Sequence, residues 1–423
     1  MSARTSSRRR LLRGALVVAL VTGLGGALPA CSETDPDPGA VRASAGRKAA
    51  DAPAGERLAG LAQQAADEGS AGVIVRIVRG SGAPLEIARQ AAWTEADHRL
   101  APGDQFRVGS NTKTVTATLV LQLVAAGKVG LADPVEKWLP GVVRGGRDIT
   151  VRMLLNHTSG LGDFLLTPAF LPSLTGQEHR TWGAKELLAI TPRQDPPSAP
   201  GAKYSYSNAN YAALGLILEK ATGESLAELI ERKITEPLGM RDSFLATDAA
   251  WSAGKQHATG YEPDAGRLKS ILAPAVPLPE GVGFTGPARP GNNVDTTGID
   301  PSWSGAAGGM VSTARDWQRF LTALVSGKLL PEAQMEQLRT TVPAPEEGGG
   351  YGLGLMKVDT PCGTVWGHTG GLPGYSSEIY TDPDGHRSVA VLTSTTFGIK
   401  EKAAATANKK LVDEAACTML ARS

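Results

Sequence analysis

Ser110 and Lys113 stand three residues apart at the head of an apolar stretch, 112–126, that reads as a buried helix. Residues three apart share a helix face, so the ammonium can lie beside the hydroxyl. The helix N-terminus puts partial positive charge near Ser110, and burial lowers the proton affinity of Lys113 until it serves as a base. Together these effects turn a weak nucleophile into a strong one. Alone, a Ser-x-x-Lys spacing says little, because many helices contain one by chance. A second segment, Tyr206-Ser207-Asn208, falls in a loop just before a helical pattern. Its tyrosine suits proton transfer between a serine and a leaving group, and its amide suits holding a substrate carbonyl. An aromatic-rich loop with an Asn helix cap has the same appearance. The third segment, His368-Thr369-Gly370-Gly371, ends a predicted strand. Small residues on a strand edge let a peptide-like ligand pair with the backbone. An N–H from this segment, with that of Ser110, would make an oxyanion hole. An ordinary strand end with a turn is the blander reading.

The elements that must hold these segments follow from apolar periodicity. Residues 55–68 read as a helix, and 72–78 with 85–92 as a hairpin joined through 79–84. Residues 210–222 and 225–234 read as helices. Near the end, 351–358, 364–368, 377–381 and 387–395 have strand character, with Asp382-Pro383-Asp384-Gly385 as a turn. Residues 400–420 close the chain as a helix. Residues 255–300 lack periodicity and are rich in Pro and Gly, which suggests a long wall loop or lid. The fold class expected is α+β, an α/β sandwich. An antiparallel sheet built from about 55–109 and 301–423 is flanked by helices, and a mainly helical lobe is inserted at about 110–300.

The 423 residues suffice for one catalytic domain with two lobes, here 55–423. With 41% hydrophobic and 20% charged residues the chain reads as globular, and its net charge of +1, without a basic stripe, excludes nucleic acid as a partner. The histidines at 98, 157, 179, 257, 368 and 386 form no paired ligand motif, so no metal is expected. There is no Gly-rich phosphate cradle, and no cofactor is expected. His157 and Ser159 invite a Ser–His pair, but a buried structural role suits His157 better. No Gly-x-Ser-x-Gly elbow is present.

Arg8-Arg9-Arg10 precede an apolar run, 11–30, that closes on Leu28-Pro29-Ala30-Cys31. This reads as a lipoprotein-type signal, 1–30, with Cys31 lipidated and 31–54 as a tether; a transmembrane anchor is the other reading. Residues 7–12 also resemble a twin-arginine export signal. The expected location is the outer face of the cell membrane, held there by lipid, or secretion. If Cys31 carries lipid, Cys362 and Cys417 remain as a pair in a compartment where disulfides persist, with two buried thiols as the alternative.

The order and spacing of the three segments together resemble the penicillin-recognising serine hydrolases. These are the serine DD-carboxypeptidases and class C β-lactamases, with their esterase relatives. Phe106-Arg107-Val108-Gly109-Ser110, Leu154-Leu155-Asn156-His157-Thr158-Ser159-Gly160-Leu161, Glu236-Pro237-Leu238-Gly239-Met240 and Tyr351-Gly352-Leu353-Gly354-Leu355 extend the likeness over about 56–420. The resemblance implies a β-lactamase/DD-peptidase-like fold and an acyl-enzyme on Ser110. Lys113 and Tyr206 would move protons, and Asn208, His368, Thr369, Gly370 and Gly371 would bind substrate. Trp303 would wall the site or belong to the core. The Tyr-Ser-Asn and His-Thr-Gly forms, and a cysteine pair placed like Cys362 and Cys417, are most similar to secreted DD-carboxypeptidases. A monomeric D-alanyl-D-alanine carboxypeptidase acting on peptidoglycan stem peptides, and acylated by β-lactams, is therefore expected. The alternatives are a class C-like β-lactamase, an esterase or amidase, or a non-catalytic penicillin-binding lipoprotein. One departure bears on substrate. Such carboxypeptidases hold the terminal carboxylate with an arginine after Tyr-Gly-Leu-Gly-Leu, whereas this chain continues Met356-Lys357. Strand alternation turns Lys357 to the other face.

Overall fold

The computed structural model describes residues 47–421 apart from 166, 194–197 and 273–277. The leader, Cys31 and the tether up to residue 46 lie outside the described residues. One antiparallel sheet dominates: β1 (Gly72–Arg79), β2 (Leu85–Gln90), β3 (Val342–Ala344), β4 (Gly349–Tyr351), β5 (Met356–Thr360), β6 (Gly363–Leu372), β7 (Tyr375–Thr381) and β8 (Arg387–Thr393). Its order is β2-β1-β8-β7-β6-β5-β4-β3, so the two ends of the chain meet where β1 pairs with β8. The helices that frame the sheet and the inserted lobe are α1 (Arg47–Ala65), α2 (Thr112–Ala125), α3 (Asn208–Thr222), α4 (Ala314–Val325) and α5 (Lys402–Leu420).

Strand alternation feeds two cores. Val73, Val75 and Ile77 pack with Leu58 and Ala62 of α1 and with Leu411, Ala415 and Met419 of α5. Ile74, Ile379 and Leu392 point the other way, into a core with Trp317, Phe320 and Leu324 of α4 that continues through the helical lobe. Each of the valine, leucine, isoleucine, phenylalanine and methionine side chains contributes about 1.5–3 kcal/mol on burial. Sandwiched on both faces, the central strands are buried almost throughout, which is why β1 and β8 read as apolar runs.

Helix α2 is enclosed nearly all round. Its threonines are buried without cost in lost hydrogen bonds: Thr114 Oγ1 donates to Gly354 O and Thr116 Oγ1 to Ala306 O, each at 2.8 Å. Ser207 caps α3, accepting from Ala209 N, and Gly223 ends it in the left-handed conformation.

Three expectations are corrected. Helix α1 begins at Arg47, inside the stretch read as tether, because the alanines between 49 and 54 favour helix over coil. The stretch 351–358 is two strands, broken where Gly352 N donates to Leu355 O and Gly354 takes φ +74°. The stretch 255–300 has structure of its own, a helix at Ala265–Leu272 and short paired strands at Tyr261–Pro263, Ala288–Arg289 and Asn293–Asp295. These are docked on the sheet by Glu262, whose carboxylate accepts from Gly374 N, Thr396 N, Phe397 N and Thr395 Oγ1. Cys362 and Cys417 form a disulfide that ties the β5–β6 turn to α5.

Candidate active site

The chain enters α2 through a tight turn, Gly109–Asn111, and Ser110 sits on it, 3% exposed. Gly109 takes φ +54°, and a Cβ there would come within 2.5 Å of Gly371 N. A Cβ on Gly370 would lie 2.0 Å from Val108 O and 3.0 Å from Ser110 N. Only glycine permits this approach, and it brings the backbone of 370–371 against that of Ser110.

Lys113 lies one turn below, fully buried. Its Nζ donates to Ser110 Oγ at 3.0 Å, Asn208 Oδ1 at 2.7 Å and Ala307 O at 2.7 Å. The ammonium also faces the rings of Tyr206 and Tyr211, at 4.8 and 5.4 Å. Burial lowers its pKa to about 7, while Asp163 and Glu347 pull the other way. Lys113 is therefore partly neutral near pH 7, a form with a lone pair free to take a proton from the hydroxyl beside it.

Tyr206 is buried over the same lysine, stacked on His157 at 4.2 Å. Its acidity is pushed well down by burial, with Ser110 acting the other way. Its hydroxyl nevertheless makes no hydrogen bond of ordinary geometry among the described residues. His157 has φ +58°, and its Nδ1 accepts from Ser207 N and Asn210 Nδ2. Ser159 Oγ donates to Asn210 Oδ1 instead of to the imidazole, so His157 and Ser159 form no catalytic pair.

Four residues of the third segment diverge in what they do. Strand β5 pairs with β6 only as far as Met356↔Gly367, so 368–372 keep an edge without a strand partner among the described residues. Thr369, Gly370 and Gly371 line a cavity of about 580 Å³ with Glu347, Met356 and Glu378. His368 is 1% exposed; its Nδ1 donates to Thr369 O and its Nε2 accepts from Tyr351 O–H at 2.8 Å. Burial lowers its pKa to about 3, so it is neutral. Its ring is thus tied to its own strand and to Tyr351. Trp303, 8% exposed, packs edge-on against Phe170 and belongs to the core. Met356 and Val358 line the cavity and Lys357 does not.

Asp163, Glu347 and the Ala307 carbonyl were not legible in the sequence. Asp163 Oδ2 accepts from both the backbone N and Nδ2 of Asn208, at 2.7 and 2.8 Å. Glu347 accepts from Tyr204 O–H at 3.0 Å. Asp163 lies two residues beyond 154–161, and that proximity was the one signal available; Glu347 and Ala307 come from distant segments with no motif.

A family model described as Beta-lactamase matches residues 58–414. Esterase EstB of Burkholderia gladioli is 32% identical over 352 residues, which covers 77% of this chain and 86% of that protein. A D-stereospecific amidohydrolase from Streptomyces sp. superposes with TM-score 0.67 at 35% identity, over 80% of this chain and 95% of that one. The D-amino acid amidase from Ochrobactrum anthropi SV3, complexed with L-phenylalanine, superposes with TM-score 0.73 at 25% identity, over 85% and 97%.

Proposed function

The chain belongs to the beta-lactamase family of serine hydrolases, and on that premise we propose that it cleaves small amides or esters with uncharged leaving groups, through an acyl-enzyme on Ser110. The observation that carries the reaction is the buried Lys113–Ser110 contact at 3.0 Å. Neutral Lys113 takes the hydroxyl proton as Ser110 Oγ attacks the substrate carbonyl carbon. The resulting oxyanion is held by the N–H groups of Ser110 and Gly371. Collapse breaks the bond to the leaving nitrogen or oxygen, which receives a proton from Lys113 through Tyr206. Water then attacks the acyl-enzyme, its proton returns by the same groups, and Ser110 is freed with the acid product.

The leaving-group preference rests on charge. Glu347, Asp359, Glu378 and Asp413, with Lys400 and Lys409, line a cavity that adjoins the nucleophile turn through Thr369, Gly370 and Gly371 and is not lined by Ser110, Lys113 or Tyr206. Lys409 pairs with Asp413 at 2.6 Å, and Lys400 lies near Glu262. Among the described residues no arginine lines it. A terminal carboxylate entering there meets more carboxylates than ammonium groups, an unfavourable encounter that solvent screens because Asp359, Lys409 and Asp413 reach the surface. The names of the esterase and amidase relatives agree with this preference. The D-alanyl-D-alanine carboxypeptidase reading is second; Thr369 and the Tyr206-Ser207-Asn208 segment favour it. The leader pattern ending at Cys31, together with the Cys362–Cys417 disulfide, supports export and lipid anchoring.

The test compares kcat/KM for D-phenylalanine amide and p-nitrophenyl butyrate with that for diacetyl-L-lysyl-D-alanyl-D-alanine. At least a ten-fold preference for one of the uncharged leaving groups is expected. Faster cleavage of the carboxylate-ended peptide would give the site to the carboxypeptidase reading.

A further inference from the structure

Asn208 can serve Lys113 only with its carbonyl turned toward the ammonium; the opposite orientation of the amide would bring N–H against N–H. One group decides the orientation. Asp163 Oδ2 accepts from both Asn208 N and Asn208 Nδ2, at 2.7 and 2.8 Å, so the NH₂ end must face the carboxylate and Oδ1 must face Lys113. The carboxylate is itself fixed. Its Oδ1 accepts from Leu165 N at 2.9 Å, and Ser207 Oγ donates to Gly162 O at 2.6 Å, clamping the loop to the start of α3. The helix N-terminus favours a negative charge there.

We propose that Asp163 is a positioning residue for the Ser110–Lys113 pair: it locks the Asn208 amide and places a negative charge beside the lysine. This rests on the acyl-enzyme reading above. The charged and titratable groups around Lys113 leave room for such an effect. His157 and His368 are held neutral by burial, and Tyr206, Tyr211 and Tyr351 are held protonated. Glu347 is the other carboxylate that acts on it. Burial raises the proton affinity of Asp163, opposed by the backbone N–H groups of Asn208 and Leu165 and by Lys113.

Two variants separate lock from charge. Asp163→Asn keeps an acceptor for Asn208 and loses the charge. Asp163→Ala loses both. The readout is the pre-steady-state acylation rate with p-nitrophenyl butyrate from pH 5 to 9. Without the charge, the ammonium form of Lys113 is less favoured, so the acid limb moves to lower pH by about 1 unit in both variants. The high-pH plateau is kept within a few-fold in Asp163→Asn and falls at least ten-fold in Asp163→Ala. Asp163→Ser, uncharged but an acceptor, replaces Asp163→Asn if that variant does not fold. A limb that stays in place in the folded variants, with a loss uniform across pH, would overturn the inference while leaving the acyl-enzyme intact. Failure of the wild-type protein to acylate Ser110 would remove the reading on which it rests, and the inference with it.

Discussion

In the proposed mechanism Ser110 is an ordinary alcohol made reactive by a lysine that the fold keeps buried. Replacing Lys113 by Ala is expected to slow acylation by about 10²–10⁴-fold, the usual worth of a positioned base, in a stopped-flow burst measurement. Wild-type acylation should rise as pH climbs through about 7, where Lys113 loses its proton. The same shift has a cost in stability. In the unfolded chain Lys113 holds its proton up to about pH 10.5, in the folded protein only up to about 7. Between those values the unfolded state binds the extra proton, so the penalty is full below pH 7 and fades as pH rises toward 10.5. Lys113→Met is free of this dependence. Urea unfolding at pH 6 and pH 9 should therefore show its stability relative to wild type declining at the higher pH. Ser110, Lys113, Tyr206 and Asn208 were legible in the sequence because each sits in a short motif with local geometry. Asp163, Glu347 and the Ala307 carbonyl were not, since their roles arise only when distant segments meet, and a backbone carbonyl has no residue signature at all.

At the level of elements, the glycine contacts between 109 and 370–371 hold the nucleophile turn against β6, and Glu262 holds the insert 261–295 against the β6–β7 turn. Glu262→Gln keeps the shape but turns an NH₂ toward donors that need an acceptor. A loss of about 1–3 kcal/mol for each group left unsatisfied is expected in urea unfolding, and an unchanged midpoint would deny Glu262 its docking role. Strands of the sheet were legible from short apolar runs, because both faces are covered. The insert was not, because its short strands carry too few residues for alternation to register, and they are stabilised by a buried carboxylate. The single run 351–358 hid a break at Gly352–Leu355 because every residue there except the glycines is apolar, and it is this break that leaves the edge of β6 open.

The described residues form a sheet in which strands from the early and late parts of the chain pair, with Ser110, Lys113 and Tyr206 gathered where the inserted helical lobe meets it. That architecture was legible from the order of strand and helix patterns, and the basis of the proposed leaving-group preference was not, because it depends on the carboxylates that α5 and the segment 345–348 bring to one cavity. The Cys362–Cys417 bridge closes the chain end across a sequence separation of 55 residues. A loop of that length is worth up to about 4 kcal/mol through the unfolded state. Cys362→Ser with Cys417→Ser should lower the melting temperature clearly and leave the acylation rate within a few-fold, since neither cysteine touches Lys113 or Ser110. The central claim concerns the nucleophile. The direct test is acid-quenched intact mass, with peptide mapping, after exposure to benzylpenicillin and, in parallel, p-nitrophenyl acetate. A single acyl group on Ser110 with at least one of them, absent in Ser110→Ala, is the predicted result. Acylation at a different residue, or a Ser110→Ala protein that hydrolyses p-nitrophenyl acetate as fast as wild type, would contradict it.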